Sequence, residues 1–229
     1  LPLHFDVLAF DMSSASLKLA GQQKVILKKV SFKAKGSKKK VQLNELFIEH
    51  QQGQLLANGN VQLNGHFDHV FSVDGNVQMD EQTPLTLTLR SSGNINSVST
   101  QVELIETRLS TKTQTVVSKD KPLQLLIDVT AQPSKASLPI NIKLNWSHLI
   151  WPLVEPEFSS QMGEIDISGD LSALKLTVQT MLAGQNVPDS NINISAMAAS
   201  TADNKSLELN AFLLETLGGQ ILSQGRLTF

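Results

Sequence analysis

"LPINIKLNW", residues 138–146, decides how the rest of the chain is read. Leu138, Ile140, Ile142, Leu144 and Trp146 fall on one face, and Pro139, Asn141, Lys143 and Asn145 on the other. Strict alternation marks a strand with one apolar and one wet face. The same period recurs in both directions. Upstream, "LQLLIDVTA" (123–131) groups Leu123, Leu125, Ile127, Val129 and Ala131, and "LTLTL" (85–89) groups Leu85, Leu87 and Leu89. Downstream, "GEIDISG" (163–169) presents Ile165 and Ile167, "LKLTVQTML" (174–182) presents Leu174, Leu176, Val178 and Leu182, and "NINISAMA" (191–198) presents Ile192, Ile194, Ala196 and Ala198. Roughly sixteen such runs are separated by Gly, Asn, Asp, Ser and Pro. No helical period lasts three turns. The expectation is an all-β, antiparallel-rich chain.

One pair of segments repeats. "VQLNELFIEHQQGQLLANGNVQL" (41–63) and "LELNAFLLETLGGQILSQGRLTF" (207–229) align without a gap. They share Leu43/Leu209, Asn44/Asn210, Glu49/Glu215, Gly53/Gly219, Gln54/Gln220, Leu56/Leu222 and Gly59/Gly225. Each reads as a hairpin turning at Gln52-Gly53 or Gly218-Gly219, where glycine supplies a positive φ. The return strands carry Leu55, Ala57, Val61 and Leu63 in the first copy, and Ile221, Leu227 and Phe229 in the second. Leu207 and Leu209 open the second copy on the same apolar face. The phase change between Leu43 and Leu46 predicts a β-bulge near Asn44, with the same slip allowed near Asn210. A second pattern, Gly-x-aliphatic-x-aliphatic-x-Gly-x-apolar-x-x-aliphatic, joins residues 59–70 to 163–174. Repeated amphipathic hairpins imply a sheet in which each unit buries its face against its neighbours.

Composition narrows the function. Net charge is −2, aromatics make up 5% of residues, and there is no Tyr, so neither an electrostatic nor a base-stacking case for nucleic acid exists. With no Cys there is no disulfide, thiolate metal site or Cys nucleophile. No stretch approaches the roughly 18 apolar residues of a spanning helix. The text begins and ends in strand-like sequence without an initiator Met, and reads as a piece of something longer: a single segment, 1–229, with hairpin repeats at 41–63 and 207–229.

A sheet with one apolar face must cover it. Two sheets can close as a sandwich, which composition alone favours, or one sheet can curl around a trough holding something apolar. An aliphatic lining without fixed polar groups suits acyl chains.

Few residues suggest chemistry. "NWSHLIWPL" (145–153) holds both Trp. It reads as a corner ended by Pro152 with indoles filling core space, or else as a lid over a groove. "KAKGSKKK" (33–40) reads as a solvated hairpin loop whose charges discourage edge pairing, or else as a contact for anionic headgroups. His66 and His69 point to opposite faces of a strand, so "HFDHV" (66–70) does not gather a metal site. No acid–base pair, phosphate loop or nucleophile triad is legible. No enzyme activity, metal or cofactor is expected.

The C-terminal third carries a resemblance. Its elements are Trp146-x-x-Leu149-x-Trp151-Pro152-Leu153, Gly163-x5-Gly169, Leu182-Ala183-Gly184-x3-Pro188 and Leu217-Gly218-Gly219-x5-Gly225-x-Leu227. In this order and spacing they resemble the TamB family of AsmA-like envelope proteins. The likeness covers residues 144–229, while 1–143 match in style. Phe229 and Leu174 stand where the family often has Trp and Tyr. The resemblance implies a β-taco, an elongated curled sheet around an aliphatic groove. It also implies a Gram-negative periplasmic location, with an inner-membrane anchor elsewhere in the full-length protein. The implied ligands are phospholipid acyl chains moving toward the outer membrane, and the implied partner is an Omp85-type outer-membrane protein. A scaffold that receives β-strands of outer-membrane clients is the alternative. On the conduit reading the groove is lined by Leu87, Leu125, Ile127, Val129, Ile140, Ile142, Leu144, Trp146, Ile165, Ile167, Leu174, Leu176, Val178, Ile192, Ile194, Leu207, Leu209, Ile221 and Leu227.

Overall fold

Alternating aliphatic and polar residues leave the backbone one economical arrangement, the extended strand, and the described chain adopts it throughout. A computed structural model describes residues 4–17, 25–78, 84–107, 122–151, 157–184, 187–200, 206–216 and 218–228. Among these are fourteen strands and no helix. Pro152 and Phe229 lie outside the described residues. The strands are antiparallel and form one sheet whose order follows the chain. A two-sheet sandwich is therefore not what the alternation encodes.

The chain divides into two units, Leu1–Asn96 with Val102–Leu109, and Ser97–Gln101 with Ser110–Phe229. The first holds β1 (Phe5–Leu17), β2 (Val25–Gly36), β3 (Lys40–His50), β4 (Gly53–Gln62), β5 (His69–Gln78) and β6 (Pro84–Asn94). β7 (Ser97–Glu106) is divided after Gln101. The second holds β8 (Gln124–Ala131), β9 (Ile140–Trp151), β10 (Phe158–Gly169), β11 (Ala173–Gly184), β12 (Val187–Ser200), β13 (Ser206–Thr216) and β14 (Gly219–Thr228).

The first unit shows how register builds a face. Val30, Ile48, Leu55, Gly75 and Leu87 stand opposite one another across β2 to β6. Beside them run Phe32, Leu46, Ala57, Val73 and Leu89. Residues directly opposite share a face, so each row is a line of touching side chains. The reverse face carries the ion pairs Lys33–Glu45 at 3.2 Å and Arg90–Asp74 at 2.7 Å. These are half-exposed surface pairs, each contributing about 0–1 kcal/mol.

The core is thin. Among the described residues the buried apolar side chains are Ala34, Ala57, Leu85 and Leu123, and no large side chain is fully buried. Sealing a Leu or Ile completely contributes about 1.5–3 kcal/mol. Most aliphatics here are only half-buried, so each contributes less, and ladder hydrogen bonds and cross-strand pairs carry more of the stability.

Both repeated segments form hairpins, β3–β4 and β13–β14, and both slip at the matching place. The register shifts between Leu43 and Leu46 in one and between Leu209 and Phe212 in the other. The turns fall one residue earlier than the sequence suggests. Gly53 pairs with His50 and Gly219 with Thr216, so each glycine opens the return strand. Gly218 does have a positive φ of 78°. Gly53 instead leaves room for β5, because a Cβ there would collide with the Asn76 carbonyl oxygen. Similarly, β9 begins at Ile140. Leu138 lies in the preceding turn with φ 48°, and alternation there does not extend the strand.

Candidate functional site: an aliphatic face in register

Seven strands of the second unit bring the predicted lining residues into rows. Ile127, Leu144, Ile165, Val178, Ile194, Leu214 and Ile221 are mutually opposite from β8 to β14. This row is aliphatic at every strand. At about 4.8 Å per strand it runs roughly 29 Å across the ladder. The next row is Val129, Ile142, Ile167, Leu176, Ala196, Phe212 and Ser223. A third sets Ile140, Gly169, Leu174, Ala198, Leu209 and Gly225 opposite one another. On the other side Leu125 faces Trp146, and Ile192 faces Thr180.

Most of these side chains are neither sealed nor free. Ile127, Leu144, Ile165, Val178 and Ile194 are half-buried, while Ile221 at the outer strand is 57% exposed. Leu207 pairs with Leu227, and their side chains lie outside the described set. Leu87 belongs to the first unit, facing Gly75 beside an apolar hollow of about 190 Å³ that Ile48 and Leu55 also line.

Trp146 caps one margin of the face. Its indole lies over Gly163, the residue opposite it, where a Cβ would run into the ring. The indole Nε1 donates to Ser160 Oγ at 2.8 Å, and Ser160 is also bonded to Thr180 Oγ1 at 2.8 Å. Ser160 is buried, so these bonds satisfy a hydroxyl that water does not reach and fix the ring flat. Gly59 plays the same part in the first unit, beneath Phe71. The repeated glycine pattern thereby gains a physical sense. Its first glycine, Gly59 or Gly163, admits a neighbouring ring. Its second, Gly65 or Gly169, sits at positive φ.

The opposite face is mainly polar, although Leu126, Leu213 and Leu222 also lie on it and Met181 and Met197 are exposed there. Asn145, Glu164, Gln179, Asn193, Glu215 and Gln220 form the row that backs the aliphatic one. Asn145, Glu164, Gln179 and Asn193 border a hollow of about 520 Å³. Lys143 lies 4.0 Å from Asp166, and Arg226 pairs with Glu208. Asp170, half-buried in the β10–β11 turn, is held below the usual carboxylate range. The Ser172 hydroxyl is the main cause, with the Ser172 and Ala173 N–H groups and Ser137 assisting against a small burial effect.

The remaining sequence candidates sort simply. "KAKGSKKK" spans the end of β2 and the loop to β3, where Lys40 N–H donates to Ser37 Oγ at 3.1 Å. His66 lies in a turn, not on a strand, with its Nδ1 3.2 Å from Asn96 Nδ2. Among the described residues no three His, Cys, Asp or Glu side chains gather to hold a metal, and no helix is long and apolar enough to cross a membrane. The glycine–aromatic pairs escaped sequence reading, since only register reveals which ring faces which glycine.

An antiparallel sheet with a row that is aliphatic at every strand and a mainly polar reverse face defines a class of amphipathic β-sheet proteins. The chain belongs to the TamB family: the family model described as the TamB N-terminal domain matches residues 1–229. The match therefore includes the first 143 residues, which resembled the family only in style. No solved structure matches the chain. Family membership points to outer-membrane assembly or lipid transport, and to an envelope-associated, periplasmic setting.

Proposed function

We propose that this chain is a non-catalytic length of conduit. On this reading its aliphatic face carries phospholipid acyl chains between the inner and outer membranes, within a full-length protein that is anchored in the inner membrane and engages an Omp85-type partner. One observation carries the reading. The row from Ile127 to Ile221 is aliphatic at all seven strands, yet its members remain partly open to solvent. Apolar surface held in an ordered row without a sealed core calls for an apolar occupant. Acyl chains fit because burial is non-directional and the row offers no hydrogen-bonding groups.

The test is lipid retained on purification of the full-length protein, measured by mass spectrometry. Val178→Asp and Ile194→Asp place a charge in the row and should reduce phospholipid severalfold, since an unpaired charge among aliphatics loses its hydration. Thr177→Asp, on the polar face, should retain it. Equal lipid in all three would overturn the conduit and leave the client-strand scaffold as the better account.

A further inference from the structure

We propose that one end of the first unit is a docking edge for the surface of an anionic lipid bilayer. The edge consists of the tips at 37–39, 63–68 and 95–96. Backbone bonds lace them together: Leu63 N–H to the Lys39 carbonyl at 2.7 Å, Gln62 N–H to the Asp68 carbonyl at 2.8 Å, and Ile95 N–H to the His66 carbonyl at 2.9 Å. The tips thus form one laced surface, not three independent loops.

That surface has two kinds of side chain. Leu63, Phe67 and Ile95 are large apolar residues exposed at 37%, 45% and 39%. Lys38, Lys39 and Lys40 supply positive charge, with Asp68 as the acidic neighbour, bonded to Asn94 Nδ2 at 2.9 Å. Lysines beside protruding apolar side chains match the membrane interface, where headgroup charge attracts the ammonium groups and the acyl boundary accepts the rings and branched chains.

Phe67 strengthens the case. Its φ is 59°, a left-handed conformation that an aromatic residue adopts at a cost. Nothing in the core repays that cost, because the ring is nearly half exposed. A glycine or asparagine would hold the same turn without strain. The tip of the second unit offers a contrast. It shares the exposed apolar residues, with Leu171 at 62% and Leu138 at 36% and φ 48°, and differs in charge: its neighbours are Asp170 and Lys135 instead of a run of lysines.

The docking edge does not depend on what occupies the aliphatic face. The test is flotation of the protein with vesicles of phosphatidylglycerol and phosphatidylethanolamine against vesicles of phosphatidylcholine alone. The native protein should float with the first, less so at high salt, and poorly with the second. Phe67→Gly should reduce partitioning onto anionic vesicles about tenfold while leaving the melting temperature unchanged or raised. The pair Lys38→Glu and Lys39→Glu should abolish the anionic preference, whereas Leu171→Ser should retain it. Native protein that prefers neither vesicle overturns the proposal. So does Phe67→Gly that binds normally or melts lower, which would make the ring structural. So does binding to an acidic protein with both vesicles ignored.

Discussion

The hairpins β3–β4 and β13–β14 share a sequence skeleton, a two-residue turn and a register slip, yet they live in different surroundings. Ala57 in β4 is 8% exposed, and β4 is flanked by β3 and β5. The matching stretch of β14 is exposed at every described side chain, with Leu222 at 75%. The repeat therefore encodes strand pairing, and the two copies differ in burial. A hairpin alone cannot seal its own face. This is how a short repeated phrase can build a sheet of any length, with stability added strand by strand.

The largest expected effect separates the two copies at one repeat position. Ala57→Asp places a charge at a buried site and should cost about 3 kcal/mol or more in urea unfolding. Ser223→Asp, its counterpart in β14, should stay within about 0.5 kcal/mol. Equal losses would mean that both hairpins are buried alike. The glycines opening the return strands sharpen the same contrast. Gly53→Ala forces a Cβ against the Asn76 carbonyl of β5, a backbone atom that cannot swing away, and should cost about 2 kcal/mol. Among the described residues, Gly219→Ala meets only the Thr216 carbonyl at 3.6 Å, ordinary contact, and should be close to neutral. A smaller effect is expected at the β10–β11 turn. Asp170 has its folded pKa depressed, so its contribution is complete above the ordinary carboxylate range and fades as pH falls through the folded value. Asp170→Ala should remove a slight stability difference between pH 7 and low pH. A variant with an unaltered pH profile would show that the turn is held by its backbone alone.

Much of this was legible. Alternation names the face along the regular stretches of β8 to β12, because a strand's side-chain period is two, and it fails where β10 shifts register between Ser159 and Gly163. The bulges near Asn44 and Asn210 were legible for the same reason, as breaks in that period. Register was not. It depends on hydrogen-bond partners in another strand, so neither the unbroken row from Ile127 to Ile221 nor the ring of Trp146 over Gly163 can be read from spacing. The role of Gly53 was misplaced on similar grounds. Glycine before a return strand suggests a positive φ, but here the backbone of β5 sets the requirement. Leu138 shows the opposite error, an alternating residue that falls in a turn at φ 48°.

The central claim is that apolar and polar faces differ in what they touch. The most direct measurement puts a photoreactive amino acid in turn at Leu176, Thr177, Val178 and Gln179 of the full-length protein, irradiates cells, and detects attached phospholipid by mass. The account predicts lipid at 176 and 178 and none at 177 and 179, a period of two along β11. Lipid at all four positions, at none, or only at 177 and 179 would contradict it.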